Sequence, residues 1–261
     1  MKNILVLFMY FVLIGFHYGF NNKSINKEKK KVIVSKIQKP TFTFIFDDGL
    51  TSDVNVVNKF KEYGFKCGFA IIINTLANDR IVEYLEYQKQ GFEILSHSIT
   101  HPYFQGNKEI SLSQAEYEFK NSLNTLTIWG FDVKGFVTPS SQMDDKYLPL
   151  LEKYYKYAYT VYYGQPQNPP VGHVTSRELH ILKRLNLEGK DTDTMIMAEI
   201  DECITQNGIL HFYAHKYPDN LTEARLVAIL EKLKPLSESG VIDVLTPYEA
   251  IQKYYKHVDM H

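Results

Sequence analysis

Short runs of apolar and β-branched residues alternate with amphipathic stretches from Pro40 to the C-terminal end of the chain. The short runs predict eight strands, at residues 41–46, 67–73, 92–95, 135–138, 157–162, 179–182, 209–213 and 241–245. The amphipathic stretches predict seven helices, at residues 54–63, 80–90, 113–128, 146–155, 194–205, 221–236 and 248–255. Strands that alternate with helices in this way favour a parallel sheet covered by helices.

The number of strand–helix units indicates how the sheet is arranged. About eight units in roughly 220 residues suit one (β/α) barrel better than two separate domains. The stretch 164–176 contains Pro166, Pro169 and Pro170 and interrupts the alternation. We therefore predict an α/β domain over residues 40–261 that forms a distorted (β/α) barrel of about seven to eight strands.

Composition excludes some classes of partner. The net charge is −1, and no basic stripe runs through the body of the chain, so nucleic acid is not an expected partner. The two cysteines, Cys67 and Cys203, are far apart and have neither metal-binding spacing nor a disulfide framework. A single bridge would be compatible with this count, but we predict two buried thiols.

The N-terminus differs in character from the rest of the chain. Residues 4–20 form an apolar run, and residues 22–39 are polar and rich in lysine. We interpret residues 1–21 as a signal peptide or an N-terminal membrane anchor, and residues 22–39 as a linker. The lysines that follow the apolar run would favour a cytoplasmic flank. Because apolar leaders at the extreme N-terminus usually direct export, we expect a secreted or membrane-anchored, extracytoplasmic protein.

Several chemically versatile side chains follow predicted strands. Asp47 and Asp48 end the first strand, His97 and His101 follow the third, and His215 ends the seventh. The carboxyl ends of barrel strands meet at one rim, so these groups are expected to lie together. Two imidazoles and one carboxylate suit a divalent transition metal with positions left open. An iron oxygenase site would use similar ligands, but the strand–helix alternation disfavours it.

Three motifs on these strands resemble a known family. They are FIFDDG at residues 44–49, HSITH at residues 97–101 and YAH at residues 213–215. The first two, at this separation, resemble the polysaccharide deacetylases of the NodB-homology type, carbohydrate esterase family 4, and the third is less specific. The resemblance extends roughly from Pro40 to Tyr255 and implies a NodB-like barrel.

The resemblance also implies a metal site and a base. Asp48, His97 and His101 would bind the metal, which would be Zn²⁺, with Co²⁺, Ni²⁺ or Mn²⁺ as alternatives. Asp47 would be the general base that takes a proton from the attacking water. The two neighbouring carboxylates would then have different functions.

The remaining roles also come from the resemblance. His215 would be the general acid, although His211 lies on the same strand at even spacing and is an alternative. The substrate carbonyl oxygen would be held by the backbone N–H of Ser140, which follows Pro139.

The chain departs from the family pattern at two motifs. Val137 occupies the position of the arginine that usually holds the catalytic aspartate, and we predict that Arg184 reaches the same rim and replaces it. No tryptophan matches the one that usually lines the acetyl pocket. Tyr213, Tyr162 or Tyr163 would line the pocket instead.

These features together predict a metal-dependent deacetylase. Its substrate would be an acetylated glycan, namely a cell-wall or extracellular polysaccharide with N-acetylglucosamine-type sugars. One alternative is an acetyl-ester hydrolase acting on acetyl xylan, or a small amide hydrolase, on the same fold. Another is a catalytically inactive barrel that binds glycan. A membrane would be a partner through the N-terminal segment, and the sequence leaves the oligomeric state open.

Overall fold

The structure is a computed structural model that describes residues 39–160, 178–189 and 192–254. These residues form eight strands: β1 (Thr41–Phe46), β2 (Gly68–Ile71), β3 (Glu93–Ser96), β4 (Gly135–Val137), β5 (Tyr157–Tyr159), β6 (Leu185–Asn186), β7 (Ile209–Ala214) and β8 (Asp243–Val244). They also form seven α-helices: α1 (Asp53–Tyr63), α2 (Asn78–Lys89), α3 (Leu112–Ile128), α4 (Leu148–Tyr154), α5 (Asp193–Gln206), α6 (Glu223–Glu238) and α7 (Pro247–Tyr254).

All strand pairings between these elements are parallel, in the order β5-β4-β3-β2-β1-β7-β6, and β8 lies beside the start of β1. One segment brings the two edges together. Leu182 donates a backbone hydrogen bond to Ala158 in β5 and accepts one from Thr160 just after it, and Leu185 pairs with β7. The seven strands on this path therefore curl into the predicted distorted (β/α) barrel, which is confirmed.

The two faces of β1 explain how the barrel is filled. Phe42, Phe44 and Phe46 point to the helix layer, and the ring of Phe44 lies 4.9 Å from that of Phe212. Ile45, between them, belongs to a separate cluster inside the barrel. Successive residues of a strand point to opposite faces, so the position after Phe46 points inward again.

One predicted strand is wrong. Residues 179–182 were expected to be the sixth strand, but Glu178–His180 is a 3₁₀ turn and the strand is Leu185–Asn186. Leu179 and Leu182 are nevertheless buried inside the barrel. Leu179 and Leu182 are apolar because their side chains lie inside the barrel, and this segment places them there although it is not a strand.

Most other element boundaries differ by one to three residues. The predicted strand 67–73 ends earlier, because Ile73 begins a 3₁₀ turn. The helix predicted at 221–236 begins at Glu223 and continues through Pro235 to Glu238. Cys67 and Cys203 are buried free thiols, as predicted.

Several predicted features lie outside the described residues. They are the leader, most of the linker, the proline-containing stretch 164–176, and Tyr162 and Tyr163. Among the residues that are described, no helix is both long enough and apolar enough to cross a membrane.

Candidate metal centre and active site

The backbone separates the two adjacent carboxylates at the end of β1. Asp47 continues the inward alternation of the strand and is 2% exposed. Asp48 has a φ of 77°, in the left-handed region that aspartate tolerates better than most residues. Because regular strand geometry would have turned Asp48 toward the helix layer, this conformation is what brings its carboxylate to the rim.

Asp48, His97 and His101 come together there as the sequence predicted. Asp48 Oδ1 lies 3.5 Å from His97 Nε2 and 3.9 Å from His101 Nε2, and the three ligand atoms all lie within 4.8 Å of one another. Three such groups, drawn from two strand ends, could hold a metal ion.

Hydrogen bonding shows that these residues fit a cation. His97 Nδ1 lies 2.8 Å from the carbonyl oxygen of Val137 and must donate its proton there, so Nε2 presents a lone pair to the site. Asp48 Oδ1 is buried and finds no hydrogen-bond donor among the described residues. His97 Nε2 and Asp48 Oδ1 therefore face each other as two lone-pair donors with no proton between them. A set of metal ligands requires this arrangement.

The electrostatics of the three side chains agree with this assignment. Burial is the main cause of a lowered pKa of His101 and favours its neutral form. Burial acts to raise the pKa of Asp48, but the neighbouring imidazoles act in the opposite direction and leave it lowered. Neutral imidazoles and an ionised carboxylate are the forms that bind a divalent cation.

The loop between the two histidines is fixed by a residue that sequence reasoning missed. Glu118, on α3, accepts hydrogen bonds from the backbone N–H groups of Ile99 and Thr100 at 2.7 and 3.1 Å, and from the Thr100 hydroxyl at 2.6 Å. Ser98 and His101 take left-handed backbone conformations, with φ values of 69° and 57°. A carboxylate on the buried face of an amphipathic helix was the signal that could have revealed Glu118.

Arg184 lies against Asp47. Its Nη1 and Nη2 donate to the two carboxylate oxygens of Asp47 at 2.8 and 2.9 Å, and both side chains are almost fully buried. Arg184 precedes β6, whereas Val137, at the position of the usual family arginine, lies inside the barrel. The structure thus places Arg184 against Asp47, as predicted, although Arg184 comes from the segment before β6 and not from β4, where the family arginine would stand. Its role in turnover stays a prediction.

Two further residues surround the Arg184 guanidinium. The ring of Tyr213 lies 4.3 Å from it, and Ser141 Oγ accepts a hydrogen bond from Nη2 at 3.3 Å. Tyr213 was expected to line the acetyl pocket, and it is half-buried at the end of β7. Ser141 had no distinguishing signal in the sequence.

The predicted substrate-binding turn follows β4. Pro139 is buried, and Ser140 is exposed with a φ of 57°. This turn meets the rest of the site through Ser141, which contacts Arg184.

His215 is held by Glu188, a second residue that the sequence did not indicate. His215 Nδ1 lies 2.6 Å from Glu188 Oε2, and the backbone N–H of His215 donates to Glu188 Oε1 at 2.7 Å. The hydrogen bond to Glu188 is the main cause of a raised pKa of His215. Burial acts to raise the pKa of Glu188, but its hydrogen bonds with His215 leave it lowered. The pair therefore favours the protonated form of His215.

His211, the alternative to His215, does not reach the rim. It lies inside the barrel, where Nδ1 is 2.7 Å from Thr43 Oγ1 and 3.0 Å from the Tyr159 hydroxyl. Burial lowers the pKa of His211 to about 3, so it stays neutral at ordinary pH. The structure therefore favours His215 over His211 as the proton donor, because His211 lies inside the barrel and is held in its neutral form.

Comparisons with known proteins agree with this geometry. Residues 35–160 match the polysaccharide deacetylase family model, while a search of curated protein sequences returned no match.

Three solved structures show similar folds. A family 4 acetyl xylan esterase from Clostridium thermocellum, in complex with a cobalt ion, has a TM-score of 0.52 and 14% identity over 81% of this chain and 90% of that one. The peptidoglycan deacetylase PdaC from Bacillus subtilis has a TM-score of 0.55 and 13% identity, over 84% and 93%. A CE4 family pseudoenzyme from Bacillus anthracis has a TM-score of 0.54 and 12% identity, over 85% and 68%. Residues 35–160 are therefore similar to the polysaccharide deacetylase family, and the described residues have the NodB-type barrel seen in these carbohydrate esterase family 4 structures.

Proposed function

We propose that the protein is a metal-dependent deacetylase that hydrolyses N-acetyl groups of a cell-wall or extracellular polysaccharide of the N-acetylglucosamine type. The observation that carries this proposal is one rim that holds the Asp48–His97–His101 set together with Asp47 and His215. The apolar run at residues 4–20 supports the extracytoplasmic location that we propose with it.

Asp48, His97 and His101 would hold the metal ion, for which we propose Zn²⁺. When bound, a divalent ion of this kind polarises a carbonyl group and lowers the pKa of a bound water to about 7.

Asp47 and His215 would move the protons. Asp47, oriented by both nitrogens of the Arg184 fork, would accept a proton from the water that adds to the acetyl carbon. His215 would donate its Nε2 proton to the sugar nitrogen as the carbon–nitrogen bond breaks. The products are acetate and a free amine, and the leaving nitrogen needs this proton because an amine anion is a very poor leaving group.

The Glu188–His215 pair favours amide over ester hydrolysis. An alkoxide is a better leaving group than an amine anion. Ester hydrolysis therefore depends less than amide hydrolysis on a general acid that protonates the leaving group. Here Glu188 maintains the protonated form of His215, which is the feature that an amide substrate requires. Acetyl-ester hydrolysis is the second candidate, because an acetyl xylan esterase shares the fold.

Acetate release from a panel of substrates tests the proposal. The panel contains N-acetylglucosamine oligomers, peptidoglycan, poly-N-acetylglucosamine and acetylated xylan, each incubated with the Zn²⁺-loaded protein. We expect acetate from at least one N-acetylated glycan. Acetate from xylan alone would assign the protein to the esterases, and no acetate from any glycan would contradict the proposal, as for a pseudoenzyme.

Glu188→Gln should change the pH dependence of turnover. The general acid must be protonated, so activity falls as the pH rises through the pKa of His215. Glu188 raises that pKa, and its loss should therefore move the alkaline limb of the kcat/KM profile to lower pH and reduce activity about tenfold at the wild-type optimum.

The control for this change is Glu202→Gln, because Glu202 is an exposed glutamate on α5 that bonds only to another surface side chain among the contacts described. Its pH profile should match that of the wild type. An alkaline limb that does not move in Glu188→Gln would show that Glu188 does not set the protonation of the acid.

A further inference from the structure

Tyr213 lies near the end of β7, between a histidine inside the barrel and a histidine at the rim. His211, Tyr213 and His215 occupy alternate positions, and alternate residues of a strand point to the same face. Because His211 lies inside the barrel, the Tyr213 side chain is also on the inner face, one step closer to the rim. It is half-buried there.

Two side chains of the proposed reaction lie against the Tyr213 ring. Arg184 Cζ is 4.3 Å from the ring centroid, inside the range of about 6 Å in which a cation is attracted to an aromatic face. The centroid of the His215 ring is 5.9 Å away, and the two ring planes are inclined by 78°, which is an edge contact. Tyr213 therefore touches both the arginine that orients Asp47 and the imidazole proposed as the acid.

The hydrogen bonds of Arg184 support only one end of its guanidinium group. Nη1 and Nη2 donate to Asp47, whereas Nε is buried and finds no acceptor among the described residues. A planar group that is hydrogen-bonded at one end can tilt about that end. The Tyr213 ring limits this tilt, and the attraction is strongest where water is excluded, as it is around the fully buried Arg184 side chain.

A second aromatic ring contacts the same guanidinium group from deeper in the barrel. The centroid of the Tyr159 ring is 5.8 Å from Arg184 Cζ, and the Tyr159 hydroxyl lies 3.0 Å from His211 Nδ1. Tyr159 is only 1% exposed, so its replacement would disturb the core as well as the site. The half-buried Tyr213 is the ring whose contribution can be measured in a folded protein.

We propose that Tyr213 is a positioning residue for Asp47, because its ring holds the Arg184 guanidinium in the orientation that the carboxylate needs. This inference rests on the proposed function, since it takes Asp47 as the base of that reaction. The alternative is the role that the sequence predicts for Tyr213, which is to line the acetyl pocket. A pocket wall governs KM and the size of the acyl group that is accepted, whereas a positioning residue governs kcat.

The test compares three variants of the full, Zn²⁺-loaded chain. Tyr213→Phe keeps the ring, Tyr213→Leu replaces it with an aliphatic group, and Tyr117→Leu is the control, because Tyr117 is 60% exposed on α3. Release of the acid from the N-acetylglucosamine pentamer and from its N-propionyl counterpart gives kcat and KM for each variant.

We expect Tyr213→Leu to lower kcat about tenfold, with KM within about twofold of the wild type and an unchanged preference for acetyl over propionyl. Tyr213→Phe should restore kcat to within about threefold of the wild type, because the ring is what contacts the guanidinium. Tyr117→Leu should match the wild type. In the Arg184→Ala background, Tyr213→Leu should lower kcat by less than about twofold further, because the group that the ring holds is gone.

Chemical denaturation of the metal-free proteins gives a readout that does not depend on turnover. If the ring holds Arg184, the two substitutions are not additive. Tyr213→Leu should raise the unfolding equilibrium constant about fivefold less in the Arg184→Ala chain than in the wild-type chain.

Three results would overturn the proposal: a Tyr213→Leu protein with wild-type kcat, an effect confined to KM and acyl size, or additive effects of the two substitutions on unfolding. The proposed reaction fails separately. No acid released from any N-acetylated glycan by the wild type would contradict the reaction, whereas non-additive unfolding would still support the hold of Tyr213 on Arg184.

Discussion

Asp48→Ala is expected to eliminate high-affinity metal binding and to lower kcat/KM by about 10³-fold or more. The carboxylate is the only anionic member of the set, and its Oδ1 faces the Nε2 atoms of His97 and His101. A metal that polarises the carbonyl and activates water contributes several kcal/mol to catalysis, and each 1.36 kcal/mol is tenfold in rate. Metal content by mass spectrometry and acetate release by the Zn²⁺-loaded proteins measure the two effects.

The matched control is Asp79→Ala, an exposed aspartate in the first turn of α2 that should leave both metal content and rate unchanged. Asp48→Ala should still fold but lose about 1–2 kcal/mol of stability, because alanine is strained at the φ of 77° that aspartate tolerates better. Chelator treatment of the wild type should give the same loss of activity, and added Zn²⁺ should restore it. Wild-type protein that neither contains nor responds to any divalent metal would contradict the metal site.

Arg184→Ala should lower kcat by about 10²- to 10³-fold and destabilise the fold by about 3–5 kcal/mol. Removing the guanidinium leaves the Asp47 carboxylate buried without its counter-charge and without the two hydrogen bonds that orient it. Arg184→Lys should recover part of the stability but little of the activity, because an ammonium group cannot reproduce the planar two-point contact. Chemical denaturation and acetate release measure these effects.

Lys89→Ala is the comparison for a surface cation, since Lys89 pairs with the exposed Glu86 and such pairs contribute about 0–1 kcal/mol. The double variant Asp47→Asn, Arg184→Ala should regain stability relative to Arg184→Ala, because the unpaired charge is gone, and it should remain inactive. An Arg184→Ala protein that folds normally and turns over at the wild-type rate would show that Arg184 does not replace the missing family arginine.

The parts of the site that the sequence predicted are those with a local signature. Asp47 and Asp48 follow an unbroken apolar strand, and His97 and His101 have a spacing that is informative by itself. Arg184 could be predicted because a charged residue follows buried leucines near the end of a barrel element. This reasoning located the residue correctly even though the strand assigned to it was a 3₁₀ turn.

The residues that could not be predicted act through contacts between elements. Glu188 meets His215 across 27 positions of sequence, and Glu118 meets Thr100 across 18. Neither glutamate belongs to a short motif, and although the buried helix position of Glu118 is unusual for a carboxylate, only the packing of the barrel shows which groups the two glutamates meet. The left-handed conformation of Asp48 is also invisible in the sequence, since aspartate before glycine suits a simple turn equally well.

The anchoring of the 97–101 loop by Glu118 has a consequence for how the proposed ion would bind. Ordering a backbone residue costs about 1–2 kcal/mol of conformational entropy, and here the fold has already met that cost for the loop that carries two ligands. Binding of the proposed ion would therefore require no rearrangement of this loop. The ion could then be lost to a competitor and regained while the barrel stays folded, so its occupancy would follow the supply of metal.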